Sequence, residues 1–90
     1  MKEQFSELIK TARNKKGLSQ GDLATALGYS TPQFISNWER GVSAVGIHDI
    51  PLLSKLIGVS QKRLINAVTA FKISKVTKSI NTKVAKAMSC

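Results

Sequence analysis

From residue 5 to residue 68 the apolar positions return at helical spacing, and no stretch alternates with period two for long. Phe5, Leu8, Ile9 and Ala12 make one stripe. It closes at Lys15-Lys16-Gly17, which supplies basic residues for a helix C-terminus and a glycine to end it, so a helix is predicted over about 3–15. Ser19 is a suitable N-cap for a second helix with Leu23, Ala24 and Leu27 inward, ending at Gly28. A third, over about 32–40, opens with Thr31 as N-cap and Pro32 at the first helical position, where a missing N–H costs nothing. Its inward residues are Ile35 and Trp38, and Gly41 lies beyond its end.

Residues 41–46 read as a loop. A fourth helix is expected over about 47–57, with Ile50, Leu53, Leu56 and Ile57 apolar and Gly58 as terminator. Pro51 would break a helix interior, which confines it to the first turn or to an irregular start. Ser60 then caps a fifth helix over about 61–70, where Leu64, Ile65 and Val68 complete the core. The expected fold is all-α with five helices.

Residues 71–90 break with this regularity. Val76, Ile80, Val84 and Met88 are spaced by four, as a helix requires, but many β-branched, Ser, Thr and Asn residues lower the helical propensity. A helix and a disordered tail both remain open. The chain is therefore divided into a helical domain, 1–70, and a C-terminal segment, 71–90. Charge marks the same boundary. Residues 1–70 carry 9 basic and 5 acidic groups, whereas 71–90 add five lysines (Lys72, Lys75, Lys78, Lys83, Lys86) and no acid, for a net charge of +9 overall. Such an excess favours polyanionic partners, nucleic acid or an anionic membrane surface.

The chemistry of the remaining residues narrows the choice. Cys90, the last residue, is the sole cysteine, so no internal disulfide can form, which suits a reducing cytoplasm. His48 is the sole histidine, so neither a zinc set nor a Cys–His pair can be assembled, and no metal or other cofactor is implied. Nothing marks any two of Glu3, Glu7, Asp22 and Asp49 as a catalytic pair, and there is no glycine-rich phosphate loop, so catalysis is not expected. No signal peptide or membrane span is evident. The basic tail, with no Trp and little Leu, is a poor candidate for lying on a membrane.

Arg13, Gly17-Leu18-Ser19-Gln20, Leu23-Ala24, Leu27-Gly28, Ile35, Trp38-Glu39-Arg40-Gly41 and Leu56-Ile57-Gly58-Val59-Ser60 together give the chain its clearest likeness. Over roughly residues 5–68 it resembles the helix-turn-helix family of phage repressors and their bacterial relatives, the Cro/C1 or XRE type. Ala24 is small where the second helix of the pair crosses close, Gly28 supplies the positive φ of a sharp turn, and Ile35 and Trp38 anchor the reading helix from behind. One departure stands out. Six residues, Tyr29 to Phe34, separate Gly28 from Ile35, where the family usually has five. Counting back from Ile35 places the extra residue in the turn, at Tyr29 or Ser30.

The resemblance implies a dimeric, sequence-specific DNA-binding transcriptional regulator, most simply a repressor, of bacterial or phage origin and located in the cytoplasm with the nucleoid. Its partner would be double-stranded DNA, with the third helix in the major groove. In that register the candidate base contacts are Gln33, Asn37, Phe34 and Ser36. The two amides suit bidentate reading of adenine, and the Phe34 ring is either half-buried core or a contact for a thymine methyl. The candidate phosphate contacts are Gln20, Thr31, Arg40, Ser43 and Lys15, with Gln20 at a helix start that favours an anion in any case. His48 is expected as a surface residue or a minor phosphate contact. The family also implies a structural ion pair between Arg13 and Glu39. Helix 5 with residues 71–90 is the candidate dimer surface, with Val76, Ile80 and Val84 as its seam. The alternative is an antitoxin of the same fold, whose residues 71–90 order on a toxin protein while the domain represses its own operon.

Overall fold

The structure is a computed structural model that describes residues 4–88, with side chains described for residues 4–75. Five α-helices follow in order: α1 Phe5–Lys15, α2 Gln20–Leu27, α3 Gln33–Glu39, α4 Ile50–Ile57 and α5 Gln61–Met88, with a short 3-10 turn Ile47–Asp49 leading into α4. No strand occurs among the described residues. The all-α, five-helix architecture expected from the sequence is the one observed.

The helix ends show why the chain breaks where it does. Ser19 caps α2 through a reciprocal box: its hydroxyl accepts from the Asp22 N–H at 2.9 Å, and the Asp22 carboxylate accepts from the Ser19 N–H at 2.9 Å. Those bonds, the backbone one foremost, hold the Asp22 carboxyl below its ordinary range. At the other end Gly28 adopts φ +88°, a left-handed conformation that lets α2 stop and the chain turn sharply. Pro51 sits in the first turn of α4, behind the 3-10 turn, so both the tolerated position and the irregular start are used. Ser60 accepts from the Arg63 N–H at 3.2 Å and caps α5.

Two expectations about these elements need correction. α3 begins one residue later than expected: its first i→i−4 bond runs from the Ser36 N–H to the Pro32 carbonyl at 2.9 Å, which puts Pro32, with ψ 7°, at the cap. The Thr31 hydroxyl keeps only a long bond, 3.4 Å, from the Gln33 N–H. The lengthened connection is still turning at Pro32, so the helix cannot start there. Ile65 is not core but 44% exposed. The buried stripe of α5 is Leu64, Ala67 and Val68, continued by the half-buried Phe71, and Ile65 lies one residue round from it.

The core gathers every helix. Phe5, Leu8, Ile9 and Ala12 of α1 meet Leu23 and Ala24 of α2, Ile35 and Trp38 of α3, Val45 of the loop, Ile50, Leu53 and Ile57 of α4, and Leu64, Ala67 and Val68 of α5. α1 packs against α3, α4 and α5, while α2 packs against α3 and α4. Trp38, 2% exposed, is the largest of the fully buried side chains and takes the Phe5 ring edge-on at 6.4 Å. α5 runs on as one helix through residues 70 and 71, the boundary drawn from charge, to Met88. The side chains of Val76, Ile80, Val84 and Met88, and Cys90 altogether, lie outside the described residues.

Candidate nucleic-acid interface

Helical geometry assigns the two sides of α3. With Ile35 and Trp38 buried, Gln33, Asn37 and Arg40 fall on the opposite side, at spacings of four and three. They form one hydrogen-bonded strip. The Gln33 amide donates from Nε2 to Asn37 Oδ1 at 3.1 Å, and Arg40 Nη2 donates to the same oxygen at 2.6 Å. Gln33 and Arg40 are exposed, and Asn37 and Ser36 are half-buried. The strip therefore presents side chains with donors and acceptors together, one of them a permanent cation, on the outside of a helix fixed from behind.

Behind α3 the charges are arranged differently. Arg13 donates from Nε to Glu39 Oε2 at 2.6 Å and from Nη2 to Oε1 at 3.0 Å, a two-pronged pair between α1 and the end of α3, with side chains 11% and 5% exposed. Its Nη1 donates to the Leu18 carbonyl at 2.7 Å, which ties the α1–α2 connection to the same group. The hydrogen bond to Glu39 raises the Arg13 pKa further above its already high value, against the opposing effect of burial. Gln20, at the start of α2, also donates to Glu39 Oε1, at 3.2 Å. One of its two amide hydrogens is thereby used. The capping box takes up the N–H groups of Ser19 and Asp22, so the free backbone donors at the start of α2 are those of Gln20 and Gly21.

The remaining candidates surround this helix. Lys15 is exposed in the last turn of α1, Thr31 is exposed beside the start of α3, and Ser43 is half-buried in the loop after it. That loop returns to α3 through the N–H groups of Val42 and Ser43, at 2.9 and 3.4 Å from the Asn37 carbonyl. His48 is exposed on the 3-10 turn.

Two residues that carry the geometry were missed by sequence reasoning, Tyr29 as a platform and Asp49 as its anchor. Tyr29 stacks on Phe34 with ring centroids 4.7 Å apart and meets Trp38 edge-on at 6.1 Å. Its hydroxyl donates to the Asp49 carboxylate in the 3-10 turn. Burial first, and the Asp49 bond second, push the Tyr29 pKa up to about 12. Phe34 itself is 52% exposed, partly covered by Tyr29. The available signal was the pair of aromatics flanking the lengthened connection, Tyr29 and Phe34, whose contact no helical periodicity could announce.

A short capped helix, a left-handed glycine turn and a second helix with a polar outer strip are the parts of a helix-turn-helix. A family model described as helix-turn-helix matches residues 9–60, more than half of the chain. The chain belongs to the helix-turn-helix family, in its XRE, Cro/C1 branch. Members of this family are DNA-binding transcription regulators. A comparison with curated proteins gives no match. Among the described residues no helix is long and apolar enough to cross a membrane, and no group of three or more metal-binding side chains occurs.

Proposed function

We propose that this helix-turn-helix protein is a sequence-specific transcriptional repressor that works as a homodimer by occupying its site on double-stranded DNA. α3 enters the major groove, with Gln33, Asn37, Ser36 and Phe34 at base edges. Gln20, Thr31, Arg40, Ser43 and Lys15 meet phosphates and set the register. The observation that carries this reading is the Gln33–Asn37–Arg40 strip. Its side chains bond within a single helix and not to the rest of the fold, so these bonds can be exchanged for the N6 and N7 edge of adenine without separating any elements.

Repression is carried over by analogy with the family: a protein seated in the major groove would exclude polymerase from the site it occupies. A single domain of this kind reads only a few base pairs, so selectivity calls for two copies on a two-fold-related site, with half-site centres about 34–36 Å apart. α5 supplies the dimer surface in this proposal, since Ile73 is 55% exposed beyond the last core contacts and the helix continues past it. Phe71 packs against the core, so a truncation that tests this should keep it.

Selection of bound duplexes from a random DNA pool at near-physiological salt tests the proposal. The expected result is enrichment of an inverted repeat with half-sites one turn apart. Recovery of DNA without sequence enrichment, leaving only charge-driven binding of about 10⁻⁴–10⁻⁶ M, overturns it and favours a protein partner for residues 71–90.

A further inference from the structure

Three aromatic rings run without interruption from the core to the outer edge of α3. Trp38 is buried, Tyr29 meets it edge-on with an interplanar angle of 76°, and Phe34 lies on Tyr29 at 27°. The Tyr29 hydroxyl, bonded to Asp49, fixes the middle ring from a second direction. A single exposed apolar residue is ordinary on a protein surface and needs no account. Phe34 differs because the half of its ring left exposed is held in one place, by a stack rooted in the core and in the turn before α4.

Its position adds the second part of the case. Phe34 is the second residue of α3, in the N-terminal half through which such a helix reaches base edges, and it lies one residue round from Gln33. Gln33 carries an amide suited to adenine, and every A·T pair that offers adenine N6 and N7 in the major groove also offers the thymine methyl there. An aromatic face held rigidly beside an adenine-reading amide is matched to that methyl group. Pre-organisation matters because a ring already fixed loses little freedom on contact.

We propose that Phe34 reads the 5-methyl group of a pyrimidine in the major groove, and that Tyr29 is the residue that positions it. The proposal rests on the reading of α3 as the groove-bound helix. It gives the extra residue of the α2–α3 connection a use: the longer turn brings a tyrosine ring beneath the second residue of the reading helix. Thymine and 5-methylcytosine carry the same methyl group, and the two sources are separable.

The test uses the full chain and the duplex recovered by selection, with binding followed by fluorescence anisotropy. Each thymine is replaced in turn by deoxyuridine, which removes the methyl and nothing else. The expected result is one thymine per half-site whose loss weakens binding about fourfold, or about fifteenfold when both half-sites are changed, the effect of withdrawing one buried methyl each. Phe34→Ala should bind more weakly and no longer distinguish thymine from deoxyuridine at that position, with other thymines unaffected. Phe34→Leu, which keeps apolar bulk, should retain part of the distinction. Tyr29→Ala should lose the distinction while keeping its binding to non-operator DNA, and Tyr29→Phe, which preserves the ring but not its bond to Asp49, should retain part of it. Melting curves confirm that each variant is folded. If deoxyuridine has no effect but 5-methylcytosine in place of cytosine strengthens binding in a Phe34-dependent way, the methyl reading stands with 5-methylcytosine as its source. Selective binding with no methyl effect that depends on Phe34 overturns the proposal and leaves the groove-bound helix intact. Equal binding to all sequences overturns both.

Discussion

The two sides of α3 satisfy their polar groups in opposite ways. On the inner side Glu39 accepts from Arg13 of α1 and from Gln20 of α2, and Arg13 reaches on to the Leu18 carbonyl, so the bonds join three helices and the connection between two of them. On the outer side Gln33, Asn37 and Arg40 bond only to one another along a single helix. The inner bonds cannot be exchanged without separating elements of the fold. The outer ones can be given up to a ligand at no cost to packing. Rigidity behind and exchangeability in front are what a reading helix requires, and here the two are separated by which partners each side chain has rather than by which residue types are used.

The largest effect is expected from breaking the inner side. Glu39→Ala strands the Arg13 guanidinium, whose side chain is 11% exposed, and should destabilise the fold by about 3–5 kcal/mol. Urea denaturation followed through Trp38, the sole tryptophan, measures it. The double change Arg13→Met with Glu39→Leu should cost less than Glu39→Ala alone, because an apolar pair leaves no charge unpaired. A loss below about 1 kcal/mol for Glu39→Ala would place the pair among ordinary surface ion pairs. The contrast between the two sides would then fail.

The outer side should respond in binding and hardly at all in stability. Gln33→Ala is expected to leave the unfolding midpoint almost unchanged, within about 0.5 kcal/mol. It should relax base preference at one position per half-site by about 1–3 kcal/mol. Lys15→Ala sharpens the comparison because its effect should be uniform: weaker binding to every sequence, and a salt dependence shallower by about one unit of slope. Equal loss on all sequences for Gln33→Ala would mean that the outer strip meets phosphates and not bases.

Much of this arrangement was legible in the chain because it rests on local rules. Ser19, Gly28, Pro51, Gly58 and Ser60 mark helix ends through caps, left-handed turns and a missing N–H, each of which acts within a few residues. The stripes of α1 and α4 follow from one period. What was not legible depends on contacts between distant residues. Ile65 fits an apolar pattern but lies one residue round from the buried Leu64, on the exposed side of α5. α3 starts at Gln33, after a connection, 28–32, that brings Tyr29 back over Trp38, and no periodicity records its tether to Asp49. The continuation of α5 to Met88 runs against its β-branched, Ser, Thr and Asn content, a case where propensity is a weak guide. For the candidate interface, the outer positions followed once Ile35 was placed inward. The hydrogen bonds among them, and the use of Gln20 by Glu39, depend on side-chain rotamers that no spacing along the chain records.

The smallest effect tests the link between the two sides, since Tyr29 touches Trp38 behind α3 and Phe34 at its edge. Tyr29 is the sole tyrosine, so the phenolate absorbance of the chain reports it alone. Burial and the Asp49 carboxylate push its pKa up to about 12, from about 10 in an unfolded chain. The fold therefore favours the protonated phenol. The stability this contributes is present in full below about pH 10 and is lost as pH rises through about 12, with nothing changed near neutrality. In native chain the absorbance midpoint should lie near 12, and in denaturant near 10. Asp49→Asn should lower the native midpoint only part of the way, because burial is the larger cause and the asparagine leaves it in place. Phe34→Ala should lower it as well by uncovering one face of the ring. A native midpoint near 10 would show the phenol open to water and the stack unformed, and the outer edge of α3 would then lose its connection to the core.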